Sequence, residues 1–204
     1  IPVVMTVEDY ALIAPNYSLY HDGAICERTK KYRYWRAIFH KCVKGSYAAS
    51  ALAAVEMSFH KLFRFYVKNI DVFLAPIVFV ANTLAEYGQN PEKMRVIHHF
   101  TEAEKIRPGE EAGEYFLYFG RLSEEKGIAD LLGAFTYLPK ASLKIVGTGP
   151  EEDRLRELAK HLLLSDRVSF EGFKEGEDLW ELVRGSRAAG VPSVWHEVFG
   201  LVLI

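Results

Sequence analysis

Short apolar runs alternate with longer amphipathic segments along the second half of the chain. Four runs have the length and composition of buried strands: 115–119, 142–146, 168–170 and 188–191. Three segments between them place apolar residues at helical spacing: 128–137, 151–163 and 177–184. This alternation indicates βαβ units, and it therefore predicts a parallel sheet with right-handed crossovers. One apolar face is predicted for the segment 151–163, formed by Leu155, Leu158, Ala159, Leu162 and Leu163.

The first half of the chain is less regular. Strands are predicted at 2–7, 71–75 and 94–97, with a helix at 79–87 that Gly88 is placed to end. A second helix is predicted at 50–65, because apolar residues recur there at three- and four-residue spacing: Leu52, Val55, Phe59, Leu62 and Phe63. Residues 8–47 lack clear periodicity and are predicted to be loop with a short helix. The acidic segment 104–114, which contains Pro and Gly, is predicted to link a domain at 1–103 to a domain at 115–204.

Polar clusters follow three of the predicted strands. In one-letter code they are G-R-L-S-E-E-K-G at 120–127, G-T-G-P-E at 147–151 and H-E-V-F-G at 196–200. Each is expected at the carboxyl edge of a parallel sheet, where open α/β folds bind ligands. Two cations, a glycine turn and a carboxylate at one edge suit a sugar attached to a diphosphate.

Arg121 and Lys126 are the candidate anion-binding residues of the first cluster. Lys126 is predicted near the start of a helix, where a cation opposes the helix dipole and is stabilised by an anionic partner. Arg can chelate a phosphate with two hydrogen bonds, and Lys acts as a point charge. The alternative is that both are solvated surface cations, partly paired with Glu124 and Glu125.

Gly147 and Gly149 permit a tight turn and a close backbone approach to a ligand. They do not form a nicotinamide-binding fingerprint, because its third glycine would fall at Glu152, which disfavours an oxidoreductase. Acidic residues in the next helical turn would repel a phosphate. The turn is therefore expected to shape a cleft, and a purely structural turn is the alternative.

Glu197 is the candidate residue of the third cluster. A carboxylate there can accept hydrogen bonds from sugar hydroxyls, and backbone N–H groups near Gly200 can hold phosphate oxygens. The alternative is an ordinary acid near the start of a helix.

Four ordered motifs resemble the donor-binding domain of retaining glycosyltransferases of family 4, which have two Rossmann-like domains in the arrangement called GT-B. The motifs are G-R-L-S-x-E-K-G at 120–127, V-G-x-G-P-E at 146–151, D-R-V-x-F-x-G-F at 166–173 and P-S-x-W-x-E-x-F-G-L at 192–201. The resemblance implies an α/β fold with a parallel-sheet donor domain and the last part of an acceptor domain, both incomplete. It also implies transfer of a glycosyl group from a nucleotide-diphosphate sugar, with retention of configuration, in polysaccharide or glycolipid biosynthesis.

The resemblance further implies roles for individual residues. Arg121 and Lys126 would hold the donor diphosphate and stabilise the leaving group without a metal or another cofactor. Glu197 would contact the donor sugar. Further donor contacts are implied near the nucleotide base and the phosphates, at Gly120, Gly147, Gly149, Glu171, Phe173, Phe199, Gly200 and Leu201.

The first half resembles the closing part of the acceptor domain, at 4–17 and 41–49, and makes Glu8 and Asp9 acceptor-side candidates. Relatives usually carry His where Glu8 stands, which motivates a second hypothesis, a non-catalytic nucleotide-sugar- or partner-binding module. His98 and His99 stand where Pro-Asn is common, and as strand neighbours they are expected to point to opposite faces and to share no metal. The chain begins within a strand and ends within an apolar run, so it is expected to be an internal fragment with little turnover of its own.

Composition and charge limit the partners. The two cysteines, Cys26 and Cys42, form neither a disulfide framework nor a zinc quartet, and a cytoplasmic setting is predicted. The segment 28–44 has seven Lys/Arg and no acids, interleaved with aromatic residues, and is a candidate contact with an anionic membrane on its inner face or with an anionic acceptor. A solvated loop is the alternative. A net charge of −2 and the lack of a recognised motif argue against nucleic acid as a partner.

Overall fold

The computed structural model describes residues 1–102, 109 and 113–203, and it divides into two compact units. The first unit comprises Ile1–Phe100 with Trp195–Leu201, and the second comprises Thr101–Val194 with Val202–Ile204. Most of the predicted linker 104–114 lies outside the described residues.

The first unit is built on a parallel sheet of three strands in the order β1-β4-β5. The strands of the first unit, whether or not they belong to this sheet, are β1 (Val4–Thr6), β2 (Tyr20–His21), β3 (Ala24–Ile25), β4 (Val72–Ala75) and β5 (Met94–Val96). Its helices are α1 (Arg36–Phe39), α2 (Tyr47–Leu62), α3 (Phe65–Asn69) and α4 (Val78–Glu86). β2 and β3 form a small antiparallel hairpin inside the long connection after β1, a region predicted as loop with a short helix.

The core of the first unit lies between the sheet and its connections. Its largest fully buried side chains include Tyr10, Ile13, Leu19, Phe73 and Leu84. Lys93, directly before β5, is bonded to the end of α3. Its Nζ donates to the carbonyl oxygens of Val67 at 2.8 Å and Ile70 at 2.6 Å. Helix α4 ends where the sequence predicts, with Gly88 at φ +89° following its last turn.

Helix α2 buries its small residues and exposes its large ones. Ser46 caps its N-terminus, and Ser50, Ala53 and Ala54 form the buried face. The apolar residues whose spacing predicts this helix are all exposed: Leu52, Val55, Phe59, Leu62 and Phe63. Small residues let the helix approach its own unit closely, and they leave an apolar stripe on the outside.

The second unit is a parallel sheet of four strands in the order β8-β7-β6-β9. The strands are β6 (Tyr115–Phe119), β7 (Ser142–Val146), β8 (Val168–Gly172) and β9 (Ser186–Ala189). The helices between them are α5 (Ile128–Phe135), α6 (Glu152–His161) and α7 (Gly176–Arg184). The predicted α/β class with parallel sheets is confirmed.

The predicted apolar face of α6 is correct except at its last residue. Leu155 and Ala159 are buried against the sheet, with Leu158 and Leu162 packed beside them. Leu163 is 87% exposed, because the helix ends at His161 and Leu163 adopts a left-handed backbone with φ 56° that turns its side chain to solvent. Among the described residues, no helix is both long and apolar enough to cross a lipid bilayer.

Candidate functional site

The turns at the carboxyl edge of the second unit's sheet are joined by backbone hydrogen bonds. The N–H of Gly120, after β6, donates to the carbonyl of Val146 at 3.0 Å. The N–H of Leu122 donates to Thr148 at 2.9 Å, in the turn after β7. The N–H of Gly147 donates to Gly172, at the end of β8, at 2.7 Å. Three predicted site segments are therefore brought together at one edge.

Gly147 and Gly149 are required by the closeness of these turns. Gly147 has φ +127°, and a Cβ there would lie 1.9 Å from the carbonyl oxygen of Gly120. A Cβ at Gly149 would lie 2.2 Å from the carbonyl oxygen of Leu122. Contacts this short cannot be tolerated against backbone, so both glycines act here in packing one turn against another.

Arg121 and Lys126 lie on the connection between β6 and α5. Arg121 is exposed, and its carbonyl accepts a hydrogen bond from the Tyr118 hydroxyl at 2.9 Å, which ties the turn to the strand. Lys126 is half-buried at the end of one 3₁₀ turn, Glu124–Lys126. The neighbouring Glu125 carboxylate accepts from the Ser123 hydroxyl at 2.6 Å. Both cations are thus presented at the carboxyl edge of β6.

The segment after β9 packs against the same connection. The N–H of Gly190 donates to Leu117 at 2.8 Å, and the N–H of Val194 donates to Glu125 at 3.0 Å. Gly127, with φ +67°, makes room for the carbonyl oxygen of Pro192, which a Cβ would approach to 2.1 Å. The chain that leads toward Glu197 is therefore fixed to the turn that carries Lys126.

Glu171 and Phe173 flank the end of β8. A carboxylate oxygen of Glu171 accepts from the Ser169 hydroxyl at 2.6 Å. Phe173 is 65% exposed, beside Gly172 at φ +72°. An exposed ring at this edge is available for stacking on a planar group.

The carboxyl edge of the first unit carries Glu8 and Asp9 after β1 and two histidines after β5. A carboxylate oxygen of Glu8 lies 3.2 Å from Nε2 of His99, an ion pair when the imidazole is protonated. Asp9 Oδ1 accepts from the N–H of Ala11 at 2.8 Å and shapes the turn. His98 points elsewhere, with Nδ1 2.6 Å from the carbonyl oxygen of Pro76. The pairing of Glu8 with His99 is not predicted by the sequence analysis; the signal that could have suggested it is that each residue follows a predicted strand of the first half, so that both lie at one edge of a parallel sheet.

The segment Trp195–Leu201 packs within the first unit. Val198 is buried in that unit's core, and the Phe199 ring lies edge-on to His99 with centroids 4.9 Å apart. Burial, followed by the negative charge of Glu197, raises the pKa of Tyr10 to about 12. The structure thus gathers Glu197 and Phe199 with the residues after β1 and β5 in one unit.

The predicted site residues therefore fall into two sets. The second unit holds Gly120, Arg121, Lys126, Gly147, Gly149, Glu171 and Phe173. The first holds Glu8, Asp9, Glu197, Phe199, Gly200 and Leu201. Within residues 1–102, 109 and 113–203, no three His, Cys, Asp or Glu side chains are grouped so as to hold a metal ion.

Comparison with known proteins identifies the family. The family model described as "Glycosyl transferases group 1" matches residues 100–204. The chain belongs to this family. It is 30% identical over 117 residues to the lipopolysaccharide core biosynthesis glycosyltransferase LpsE of Rhizobium meliloti, and the match covers 54% of this chain and 34% of LpsE. It is 26% identical over 175 residues to the glycogen synthase of Mycobacterium tuberculosis, covering 81% of this chain and 42% of that enzyme.

A solved structure shows the same fold. The Anabaena protein Alr3699/HepE, solved with UDP and glucose, aligns with a TM-score of 0.68 and 18% identity over 98% of this chain and 49% of its own. The fold is that of GT-B glycosyltransferases with Rossmann-like domains, as the sequence predicts. The chain spans half or less of the length of each of these three proteins.

Proposed function

We propose that the whole protein transfers a glycosyl group from a nucleotide-diphosphate sugar to a sugar or lipid-linked acceptor, with retention of configuration. The observation that carries this proposal is the presentation of Arg121 and Lys126 at the carboxyl edge of β6, inside the segment that matches the family. This edge is where open α/β sheets bind ligands.

Electrostatics would supply the chemistry. When the bond between the sugar and the diphosphate breaks, negative charge grows on the leaving phosphate. A guanidinium and an ammonium group held beside that charge stabilise it in the transition state more than in the ground state. This mechanism uses no metal and no other cofactor. UDP bound to the structurally similar Anabaena protein makes UDP the first nucleotide to test.

The other candidate residues would contact the donor sugar, the nucleotide and the acceptor. Glu197 would accept hydrogen bonds from the sugar hydroxyls, and N–H groups at Phe199–Leu201 would face the phosphates. The exposed ring of Phe173, with Glu171, would lie at the base. Glu8 and Asp9 would act on the acceptor side, and the biosynthetic role would be in polysaccharide or glycolipid assembly in the cytoplasm.

Calorimetry with UDP tests the donor site directly. The Arg121→Ala/Lys126→Ala variant is expected to lose at least tenfold in affinity, because two charge-assisted contacts to phosphate are removed. A matched variant, Arg187→Ala/Lys160→Ala, removes an exposed arginine and an exposed lysine elsewhere in the second unit and should bind as the parent does. Equal affinity in all three proteins would refute the donor site.

A second candidate function, a non-catalytic nucleotide-sugar- or partner-binding module, is favoured by one observation. Glu8 stands where relatives usually carry His, and it is paired with His99. Turnover of the whole protein with Glu8 and with Glu8→His separates the two functions. Turnover with Glu8 supports the transferase, whereas donor binding without turnover until His is restored supports the module.

The segment 28–44 would bring the protein to an anionic lipid surface. Trp35, directly before α1, and Phe39, its last residue, are exposed. Arg36 lies against the Trp35 ring, and Lys41 lies against Tyr47 at the start of α2. Exposed aromatic rings interleaved with Lys and Arg match the interface of a bilayer that carries negative charge. Buried Tyr34 anchors the segment to the unit and takes no part in this surface.

Flotation with vesicles tests this contact. Vesicles of phosphatidylcholine with phosphatidylglycerol should bind the protein, and vesicles of phosphatidylcholine alone should bind far less. Trp35→Ala/Phe39→Ala should reduce binding at least fivefold, whereas Tyr137→Ala, which removes an exposed ring from the second unit, should not. Equal binding to both vesicle types, or no binding to either, would refute the lipid contact.

A further inference from the structure

A cavity of about 420 Å³ lies within the first unit and is not assigned by the proposed function. Its walls are the connection after β1 (residues 11–17), the second half of α2, the turn into α3, and residues 88–90 after α4. Residues 88–90 lie between the end of α4 and the start of β5, which is the amino edge of the sheet. The cavity thus reaches from this amino edge to the connection that follows Asp9, and neither Glu8 nor His99 lines it.

One side of the cavity is aromatic. Tyr17, Tyr32 and Tyr66 line it, and the ammonium of Lys61 lies 3.7 Å from the centre of the Tyr32 ring. Tyrosine rings offer flat apolar surface for the C–H faces of a sugar and hydroxyls for its oxygens. The Tyr66 hydroxyl, like that of any tyrosine, is protonated at neutral pH and able to donate. Burial, followed by the charges of Glu56 and Asp9, raises its pKa further.

A buried acceptor in the wall has no partner. Gln89 Nε2 donates to the carbonyl of Leu12 at 3.5 Å, which orients the amide. Its Oε1 is buried and has no hydrogen-bond partner among the described residues. A buried acceptor left unsatisfied costs about 1–3 kcal/mol, and rotation of the amide toward the cavity would let a ligand hydroxyl donate to it and remove that cost.

Two cations stand on one wall. Lys61 lies in the last turn of α2, and Arg64 precedes α3 with a left-handed backbone, φ 55°. Glu56 is the acidic residue that lines the cavity among the described residues, so the wall has an excess of positive charge. Both cations are exposed, so their attraction for an anionic ligand is screened by salt and weakens as ionic strength rises.

From this combination we infer that the cavity binds a hydroxylated anion of monosaccharide size, that is, a sugar that carries a phosphate or a carboxylate. Its hydroxyls donate to Gln89 Oε1 once the amide has turned toward the cavity, its ring lies against the tyrosines, and its charged group meets Lys61 and Arg64. The volume falls in the range of small-molecule sites, about 300–1,000 Å³. The inference goes beyond the proposed function, because it concerns neither the donor nor the edge that would bind it.

The 204-residue chain is titrated by calorimetry with glucose 6-phosphate, glucuronate, glucose and inorganic phosphate. At least one of the two anionic sugars should bind ten or more times tighter than either glucose or phosphate. Comparing the two anionic sugars separates a phosphate from a carboxylate as the recognised group. Binding of glucose or of phosphate as tight as that of the better anionic sugar would overturn the inference, as would no binding of either anionic sugar.

Variants then locate the ligand. Lys61→Ala/Arg64→Ala should weaken binding of the anionic sugar at least tenfold, and Gln89→Glu should weaken it by placing a negative charge beside it. Lys68→Ala, an exposed cation on α3 outside the cavity, is the matched control and should bind as the parent does. Thermal unfolding confirms that each variant is folded. Arg121→Ala/Lys126→Ala should leave this binding unchanged, and its loss there instead of at Lys61 and Arg64 would overturn the inference while leaving the donor site intact.

Discussion

The Glu8 carboxylate lies 3.2 Å from Nε2 of His99, so the residues that follow β1 and β5 are paired at the carboxyl edge of the first unit. The two residues follow different strands of the same parallel sheet, and their side chains have complementary charge when the imidazole is protonated.

A double-mutant cycle on Glu8→Ala and His99→Ala measures this pair. Because both side chains are partly exposed, the expected coupling free energy is about 0.2–1 kcal/mol when the imidazole is protonated. The measurement is urea unfolding of the four proteins. A cycle on Glu8→Ala and His161→Ala, an exposed histidine of the second unit, should show no coupling, and equal values for the two cycles would contradict the pair.

Tyr10→Phe is expected to stabilise the protein at neutral pH by about 1 kcal/mol. The Tyr10 hydroxyl is buried and has no hydrogen-bond partner among the described residues, so removing it removes an unsatisfied group. Thermal or urea unfolding at pH 7 gives the value. A loss of more than 1 kcal/mol would show that the hydroxyl has a favourable contact.

The same variant should change the alkaline limb of the stability profile. Burial, then the charge of Glu197, raises the pKa of Tyr10 to about 12, whereas a tyrosine in the unfolded chain ionises near pH 10. The contribution of Tyr10 to stability is complete below pH 10 and is lost as the pH rises from 10 to 12, because only the unfolded chain releases the proton there. Tyr10→Phe should therefore lose about 1–3 kcal/mol less than the parent over this range. Tyr137→Phe, at an exposed tyrosine, should keep the parental profile.

Gly147→Ala is expected to cost about 3 kcal/mol or more of unfolding free energy. The added Cβ would meet a backbone carbonyl at 1.9 Å, and the residue would keep a backbone conformation that alanine rarely adopts. Gly133→Ala, in α5, is the matched control. A Cβ at Gly133 would meet no described atom within 4 Å, and the change should stabilise the helix by about 0.5–1 kcal/mol.

Lys93→Met should destabilise the protein by about 1–3 kcal/mol, because the carbonyl groups of Val67 and Ile70 would lose a charged donor. Lys68→Met, on the exposed side of α3, is expected to change stability by less than about 0.5 kcal/mol. Urea unfolding gives both values from the shift in midpoint, provided that the dependence of unfolding free energy on urea concentration is unchanged. Similar losses in the two variants would show that the Lys93 hydrogen bonds contribute little.

The exposed stripe of α2 should govern association more than folding. Leu52→Ser/Phe59→Ser is expected to change unfolding free energy by less than about 1 kcal/mol, since both side chains are more than half exposed, and to reduce self-association in sedimentation velocity. Phe73→Ala, in the core at β4, should instead cost about 3–5 kcal/mol. Self-association of the parent protein that is unchanged in the double variant would exclude the stripe as its cause.

Local patterns predict much of this fold, because strands and helices impose periods on the residues within them. The seven predicted strands are present, and their bounds differ from the predictions by a few residues. Periodicity does not say which face of a helix is covered, so the spacing of Leu52, Val55 and Phe59 predicts α2 correctly although these residues are exposed. The β2–β3 hairpin is missed because its strands have two residues each.

The candidate site was predictable in part for the same reason. Residues that follow strands of one parallel sheet must meet at one edge, and Gly120, Gly147 and Gly149 do. The pairing of Glu8 with His99 joins residues far apart in sequence, and no local period reports it. The packing of Trp195–Leu201 within the first unit is likewise set by tertiary contacts such as those of Val198.

The hydrogen bonds that join the turns after β6, β7 and β8 have a consequence for how such a protein can diverge. These turns, one of which carries Arg121, are held together by main-chain hydrogen bonds and by glycines that leave no room for a side chain. Their shape therefore does not depend on the identity of the exposed residues around them. Substitutions at those exposed positions can change the chemistry of this surface without loosening the turns beneath it. A lineage could therefore alter the surface one residue at a time, at little risk to folding.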